Sequence, residues 1–299
     1  IEAHWGWLDK EKTAYIDAAS ASGINRITGW ILDTKAFTSF GTGELIRSAI
    51  EKGARKIYIG LGGSAMTDCG AGILSALGCD FYNELNEVFV PVGENLNQII
   101  KVDFQRFYER IKDVEFHCLC DVTNPLFGSN GSAHVFASQK GANKKEIFLL
   151  DKNLKYFSEI TGKKEFSDFP GAGAAGGVGF SLIAFFQAQI NNGIDFFLDK
   201  INFNEIIKDG TLIITGEGKL DRQSFMGKVI SGVTKRAAVH SIPVIILCGQ
   251  NQLSSKEIDE LPGKTSVFPI IQETMDLPLL MFHSRKWLDF TLRQIAKLL

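Results

Sequence analysis

The sequence has no run of roughly 18 consecutive apolar residues, so no transmembrane helix is expected. Its basic residues form no stripe. With 32 Lys and Arg against 34 Asp and Glu, the net charge is −2, which argues against a nucleic-acid binder. The 5 cysteines, Cys69, Cys79, Cys118, Cys120 and Cys248, include no C-x-x-C pair. An odd set without that spacing fits neither a disulfide framework nor a zinc site, and a reducing cytoplasm is the expected setting. The stretch from Ile1 to Trp7 lacks the charged start and apolar core of a signal peptide, and there is no initiator Met. The chain is therefore expected to begin inside a longer one. No G-x-x-x-x-G-K-[ST] run is present, which excludes a Walker-type phosphate loop. Internal repeats and low-complexity segments are also missing.

What is there is a globular composition, 45% hydrophobic and 22% charged over 299 residues, with 30 glycines. The glycines cluster in loops that follow short apolar runs. Residues 57–61 read as a buried strand, Gly62-Gly63-Ser64 as a turn, and residues 71–77 as a helix. Between turn and helix stand Thr67 and Asp68. A strand that ends in glycine and opens a helix gathers bare N–H groups at a positive helix end, which suits an anion. A strand over residues 116–119 likewise leads into Asp121-Val-Thr-Asn124-Pro, and a strand over 211–214 leads into Thr215-Gly216-Glu217-Gly218-Lys219-Leu-Asp221.

Each acid also has a plainer reading. Asp121 could close an Asx turn, Asp221 could place a charge before the coming helix, and Asp17, at the end of the strand Thr13–Asp17, could be a helix cap. The run Pro170-Gly171-Ala-Gly173-Ala-Ala-Gly176-Gly177 satisfies G-x-G-x-x-G by letter. It lacks the preceding apolar strand that a dinucleotide site needs, so a glycine loop capping a helix over 180–190 is expected instead.

The remaining stretches read as scaffold. A helix is expected over 44–52, a hairpin or excursion around 87–90, and an amphipathic helix over 143–168 with Phe148, Leu149, Leu154 and Phe157 on its apolar face. Further on come a helix over 225–240, strands over 243–247 and 266–270, and a closing helix over 287–299. Strands alternating with helices imply parallel sheets with ligands beyond the strands' carboxyl ends. The fold class expected is α/β in two domains, 1–205 rich in glycine loops and 206–299 with a Rossmann-like or flavodoxin-like sheet.

Five motifs in order carry a family resemblance: Gly60-Leu-Gly-Gly-Ser-Ala65 with Asp68 and Gly70-Ala-Gly72, Cys120-Asp-Val-Thr-Asn-Pro-Leu126, Gln139-Lys-Gly-Ala142, Pro170 to Gly177, and Thr215-Gly-Glu-Gly218 with Asp221. Together they resemble bacterial type I glycerate kinases. The resemblance implies ATP-dependent phosphorylation of D-glycerate, usually at the 2-hydroxyl, with the site in a cleft between two α/β domains. It departs in two places. Met66 and Cys69 stand where the family pattern reads Ala-Thr-Asn-Asp-Gly-Gly, and the family's opening strand with its Lys-Gly-Ser loop is absent from this sequence. The chain by itself is accordingly expected to be inactive.

Phosphoryl transfer needs a seat for phosphates, a carboxylate for Mg²⁺, positive charge, and a base for the acceptor hydroxyl. The candidates for catalysis are Asp221, Asp121 and Asp68, with Asp121 toward Mg²⁺; which acid plays which part stays open. Substrate or nucleotide would meet Gly62, Gly63, Ser64, Asn124, Lys140, Gly171, Gly173, Gly176, Gly177, Thr215, Gly216, Glu217, Gly218 and Lys219, with Lys228 a further source of charge. Expected partners are glycerate and ATP, with no nucleic acid and no membrane, and a homodimer is left open. The rival readings are a non-catalytic relative that binds glycerate or nucleotide, and a kinase of another small hydroxy acid.

Overall fold

A computed structural model describes residues 1–27, 32–225 and 229–298, so Lys228 lies outside the described residues. The chain forms two compact units, Ile1–Asn191 and Asn192–Leu299.

In the first unit the strands are β1 (Gly6–Leu8), β2 (Thr13–Asp17), β3 (Lys56–Gly60), β4 (Asp80–Tyr82), β5 (Val88–Phe89), β6 (Lys101–Asp103), β7 (Glu115–Leu119) and β8 (Gln189–Asn191). Five of them make a sheet in the order β1-β2-β3-β7-β8, parallel except for the β1–β2 pair. Alternation sends Ala14, Ile16, Ile57, Ile59, Phe116 and Cys118 to one face, where they join the main core. The opposite face carries a row in register, Tyr15, Tyr58 and His117, with ring centroids 5.3 and 4.4 Å apart. Parallel pairing aligns the carboxyl ends of β2, β3 and β7. Asp17, Gly60 and Leu119 therefore leave the sheet at one edge. The excursion around 87–90 is a small antiparallel sheet of order β5-β4-β6, anchored by the fully buried Phe81.

Two helices in this unit differ from expectation. The helix Lys144–Ile160 starts at a capping box between Asn143 and Glu146, but its buried face is Leu150, Asn153, Leu154 and Phe157. Phe148 and Leu149 are exposed, because the Asn153 amide donates to the carbonyls of Gly93 and Glu94 and turns the helix to suit. The glycine run itself enters the helix Ala174–Ala184, which breaks at residues 175–177 in left-handed geometry. That helix ends well before 190. Gln187, at φ 52°, reverses the chain into β8, so residues 189–191 pair with β7 rather than continue the helix.

The second unit has β9 (Ile213–Leu220), β10 (Val244–Asn251) and β11 (Thr265–Pro269), parallel in the order β11-β10-β9. Thr215-Gly-Glu-Gly218 is not a loop; it lies inside β9, because parallel pairing with β10 continues from Val244–Ile213 to Asn251–Leu220. Val244, Ile246 and Cys248 pack with Ile230 and Ala237 on one side. On the other side Ile245 and Leu247 meet Trp287 and Ile295 of the closing helix, Leu277–Ile295. Residues 192–200 pack with this unit: Arg236 pairs with Asp199 at 2.7 Å and Asp195 at 3.4 Å, and Gly232 leaves room for Ile194 and Leu198. Among the described residues, no helix is long and apolar enough to cross a membrane.

Candidate functional site

Asp68 is fully buried, and donors surround its carboxylate. Oδ2 accepts from the Ser39 N–H and hydroxyl, both at 2.7 Å, and from the Gly72 N–H at 3.3 Å, while Oδ1 accepts from the Gly70 N–H at 3.0 Å. Burial pushes this carboxyl above the usual carboxylate range, and the four donors oppose that shift. The side chain thus joins the start of the helix Phe40–Glu51 to the start of the helix Ala71–Ala76. Ser39 had drawn no notice in the sequence, since nothing local marks a serine whose partner is 29 positions away.

The glycines of the 171–177 run are buried and face protein. A Cβ at Gly173 would come within 2.3 Å of the Pro125 carbonyl, and one at Gly176 within 2.2 Å of the Met66 carbonyl. Gly173 has φ −77°, so close approach rather than a left-handed turn requires glycine there; Gly176, at φ 71°, needs both. The Gly173 N–H donates to the Asn124 carbonyl, and the Cys69 N–H donates to that of Gly176. Gly171 and Gly177 press on Cys120 and Cys69. This run therefore clasps the segments after β3 and β7, meeting Met66 and Cys69 of the first and Cys120, Asn124 and Pro125 of the second. Asp121, which follows β7, is exposed.

Gly62 and Gly63 differ from the clasp. Both are exposed, and a Cβ at Gly62 would find no atom within 4 Å. Beneath the turn lies Lys140, only 5% exposed. Its Nζ donates to Ser64 Oγ at 3.0 Å and to the Met66 carbonyl at 2.9 Å. Among the described residues no carboxylate forms an ion pair with it, and burial brings its pKa down to about 8 despite the field of Asp68. A buried ammonium held only by neutral acceptors, under an open glycine turn, favours an incoming anion.

In the second unit, Thr215, Gly216, Glu217, Gly218 and Lys219 all belong to β9. A Cβ at Gly218 would also meet open space, whereas Gly216 abuts the Leu247 carbonyl at 2.9 Å. Glu217 Oε2 is buried without a hydrogen-bond partner among the described residues. Past the strand, Asp221 lies 3.3 Å from the Lys219 ammonium, and its N–H donates to Ser224 Oγ at 3.2 Å. No group of three or more His, Cys, Asp or Glu suited to a metal ion occurs among the described residues.

The order of these loops along a parallel α/β framework has counterparts. Residues 1–299 match the profile of the glycerate kinase family. The chain belongs to the glycerate kinase family. It is 39% identical over 299 residues to a glycerate kinase of Bacillus cereus, covering 99% of this chain and 78% of that one. A glycerate 2-kinase of Escherichia coli is 42% identical over 252 residues, covering 83% of this chain and 66% of the relative. A crystal structure of a glycerate kinase 2 from Salmonella typhimurium superposes with a TM-score of 0.79 at 33% identity, covering 99% and 78%. As a glycerate kinase, the protein is an enzyme that phosphorylates glycerate. Both units of this glycerate kinase carry candidate residues: Gly62, Ser64, Asp121 and Lys140 in the first, Glu217, Lys219 and Asp221 in the second.

Proposed function

We propose that the enzyme transfers the terminal phosphoryl group of ATP to the 2-hydroxyl of D-glycerate, with Mg²⁺, in the cytoplasm. The observation that carries this reading is Lys140, a buried cation paired only with neutral oxygens beneath the open turn Gly62–Ser64. Such a seat suits the oxyanions that both reactants bring. The 2-hydroxyl is favoured by the likeness to a relative called glycerate 2-kinase.

Mg²⁺ usually takes one or two carboxylates and fills its remaining positions with phosphate and water, so a three-residue cluster is not required. Asp121, exposed after β7, fits that demand. The ion would neutralise charge on the phosphate oxygens. The chain's own part is to seat the anion on the N–H groups of Gly62 and Gly63 and on Ser64, and to use a carboxylate, Asp221, to receive the proton of the acceptor hydroxyl. Lys219, 3.3 Å from Asp221, would add positive charge beside that carboxylate.

The test is a coupled ADP-release assay over D-glycerate, L-glycerate, glycolate and lactate, with the product identified by phosphorus NMR. D-glycerate should be preferred and yield 2-phosphoglycerate. Formation of 3-phosphoglycerate alone would overturn the regiochemistry, and a faster reaction with another hydroxy acid would overturn the substrate.

A further inference from the structure

The second unit contains a cavity of about 270 Å³ just past Asp221, in a region to which no role has been given above. It lies between the short helical turn Arg222–Phe225 and the helix Val229–Val239 on one side, and on the other the segment that follows β10. Its apolar wall comes from Phe225, Leu253, Leu261 and Pro262. Hydrogen-bonding capacity comes from Ser231, and positive charge from Arg222 and Lys235. The two carboxylates that also line it are already engaged. Glu257 accepts from the Ser254 N–H and hydroxyl and pairs with Arg222, interactions that hold its carboxyl down at about 2, and Glu260 lies 3.9 Å from Lys256. Lys235 forms no ion pair among the described residues.

We infer that this cavity seats the nucleoside of the phosphoryl donor, with the base against the apolar wall and the phosphates directed past Arg222 toward Asp221. The inference rests on the reading of the protein as an ATP-dependent kinase. Three observations favour this occupant. Arg222 and Leu253 on its wall stand just past the carboxyl ends of the parallel strands β9 and β10, where ligands of such sheets lie. Its volume falls just under the range of about 300–1,000 Å³ typical of small-molecule pockets, which suits a base with part of its ribose and not a whole nucleoside triphosphate. Apolar walls with a few hydrogen-bonding groups match a heterocycle, while Lys235, without an ion pair among the described residues, and Arg222, already paired with Glu257, put positive charge on the wall to match the charge that follows it.

Leu261 is half-buried on the cavity wall, so Leu261→Trp fills the space without opening the core. Calorimetry should show ADP affinity lowered at least tenfold in this variant, with glycerate affinity changed less than twofold. Inhibition by inorganic tripolyphosphate, which has no base, should be unmoved. Lys235→Ala removes an exposed side chain and should weaken ADP at least threefold even if the tryptophan variant folds poorly. The inference is overturned if the folded variants bind ADP as wild type does, or if wild type binds ADP no better than tripolyphosphate. Wild-type turnover of glycerate with an unaltered KM for ATP in both variants would sink the cavity and leave the kinase reading standing. Loss of ADP binding in both, with wild type inactive on glycerate, would do the reverse.

Discussion

Lys140 shows how burial sets the use of a single residue. In the folded protein its ammonium gives up its proton near pH 8, against an ordinary 10.5, because it is desolvated. Between those values the unfolded chain holds the proton and the folded one does not, so this group's contribution to stability rises with pH across that window. Anion binding has the opposite sign, since it needs the ammonium. KM for glycerate should therefore climb as pH passes from 7 to 9. Lys140→Met should raise KM at pH 7 by at least about tenfold, a change worth about 1.4 kcal/mol, and abolish the climb. Initial-rate pH profiles check this, and a variant with wild-type KM at pH 7 would reduce Lys140 to a brace for the turn. Asp68 behaves differently. Both its oxygens face N–H donors, so the amide of Asp68→Asn must point a donor at a donor whichever way it flips. The expected cost is about 1–3 kcal/mol of stability, read as a lowered thermal midpoint. Unchanged melting together with lost activity would instead favour direct chemistry by this acid.

At the scale of elements, the glycine-rich run divides from the glycine turn after β3. The run at 171–177 is filled by protein, and the turn at 62–63 faces open space. Gly176→Ala places a methyl 2.2 Å from the Met66 carbonyl at φ 71° and should destabilise the fold by at least about 2 kcal/mol. Gly62→Ala meets nothing within 4 Å and should melt like wild type while its glycerate or ADP affinity drops. Melting curves and calorimetry on the pair decide the matter. If Gly176→Ala melts normally and loses ligand, the clasp is the binding loop after all. The helices obey the same logic: Asn143 and Glu146 start the helix Lys144–Ile160 locally, but Asn153, reaching the carbonyls of residues 93 and 94, selects which face is buried.

For the whole molecule, the candidate residues are divided between two units, so activity should respond to changes in either. Asp221→Asn in the second unit should lower kcat by about 100-fold or more, on the scale of a lost base or metal carboxylate, with the thermal midpoint held. A soluble variant keeping more than about a third of wild-type kcat would return Asp221 to the part of a charge placed before the coming helix. The near balance of charge, −2 over 299 residues, gives no long-range field to draw anionic substrates, which leaves attraction to local groups such as Lys140 and Lys219.

The family, the α/β class, and the strands β2, β3, β7 and β10 were legible in the sequence, because short apolar runs bounded by glycine and acid are local signals. The positions of Gly62, Ser64, Asp121, Lys140 and Asp221 as candidates were legible too, since their motifs are contiguous. Tertiary structure alone decided what each group faces. Thr215 to Gly218 reads as a loop by composition, yet pairing with Val244–Asn251 makes it strand, and strand pairing depends on a partner distant in the chain. Asp68 and Asp221 look alike as acids after glycine. One is enclosed by four donors from Ser39, Gly70 and Gly72, and the other stands half-buried beside Lys219. A carboxylate's chemistry follows from its solvent and its neighbours, and those are set by which segments the fold packs around it.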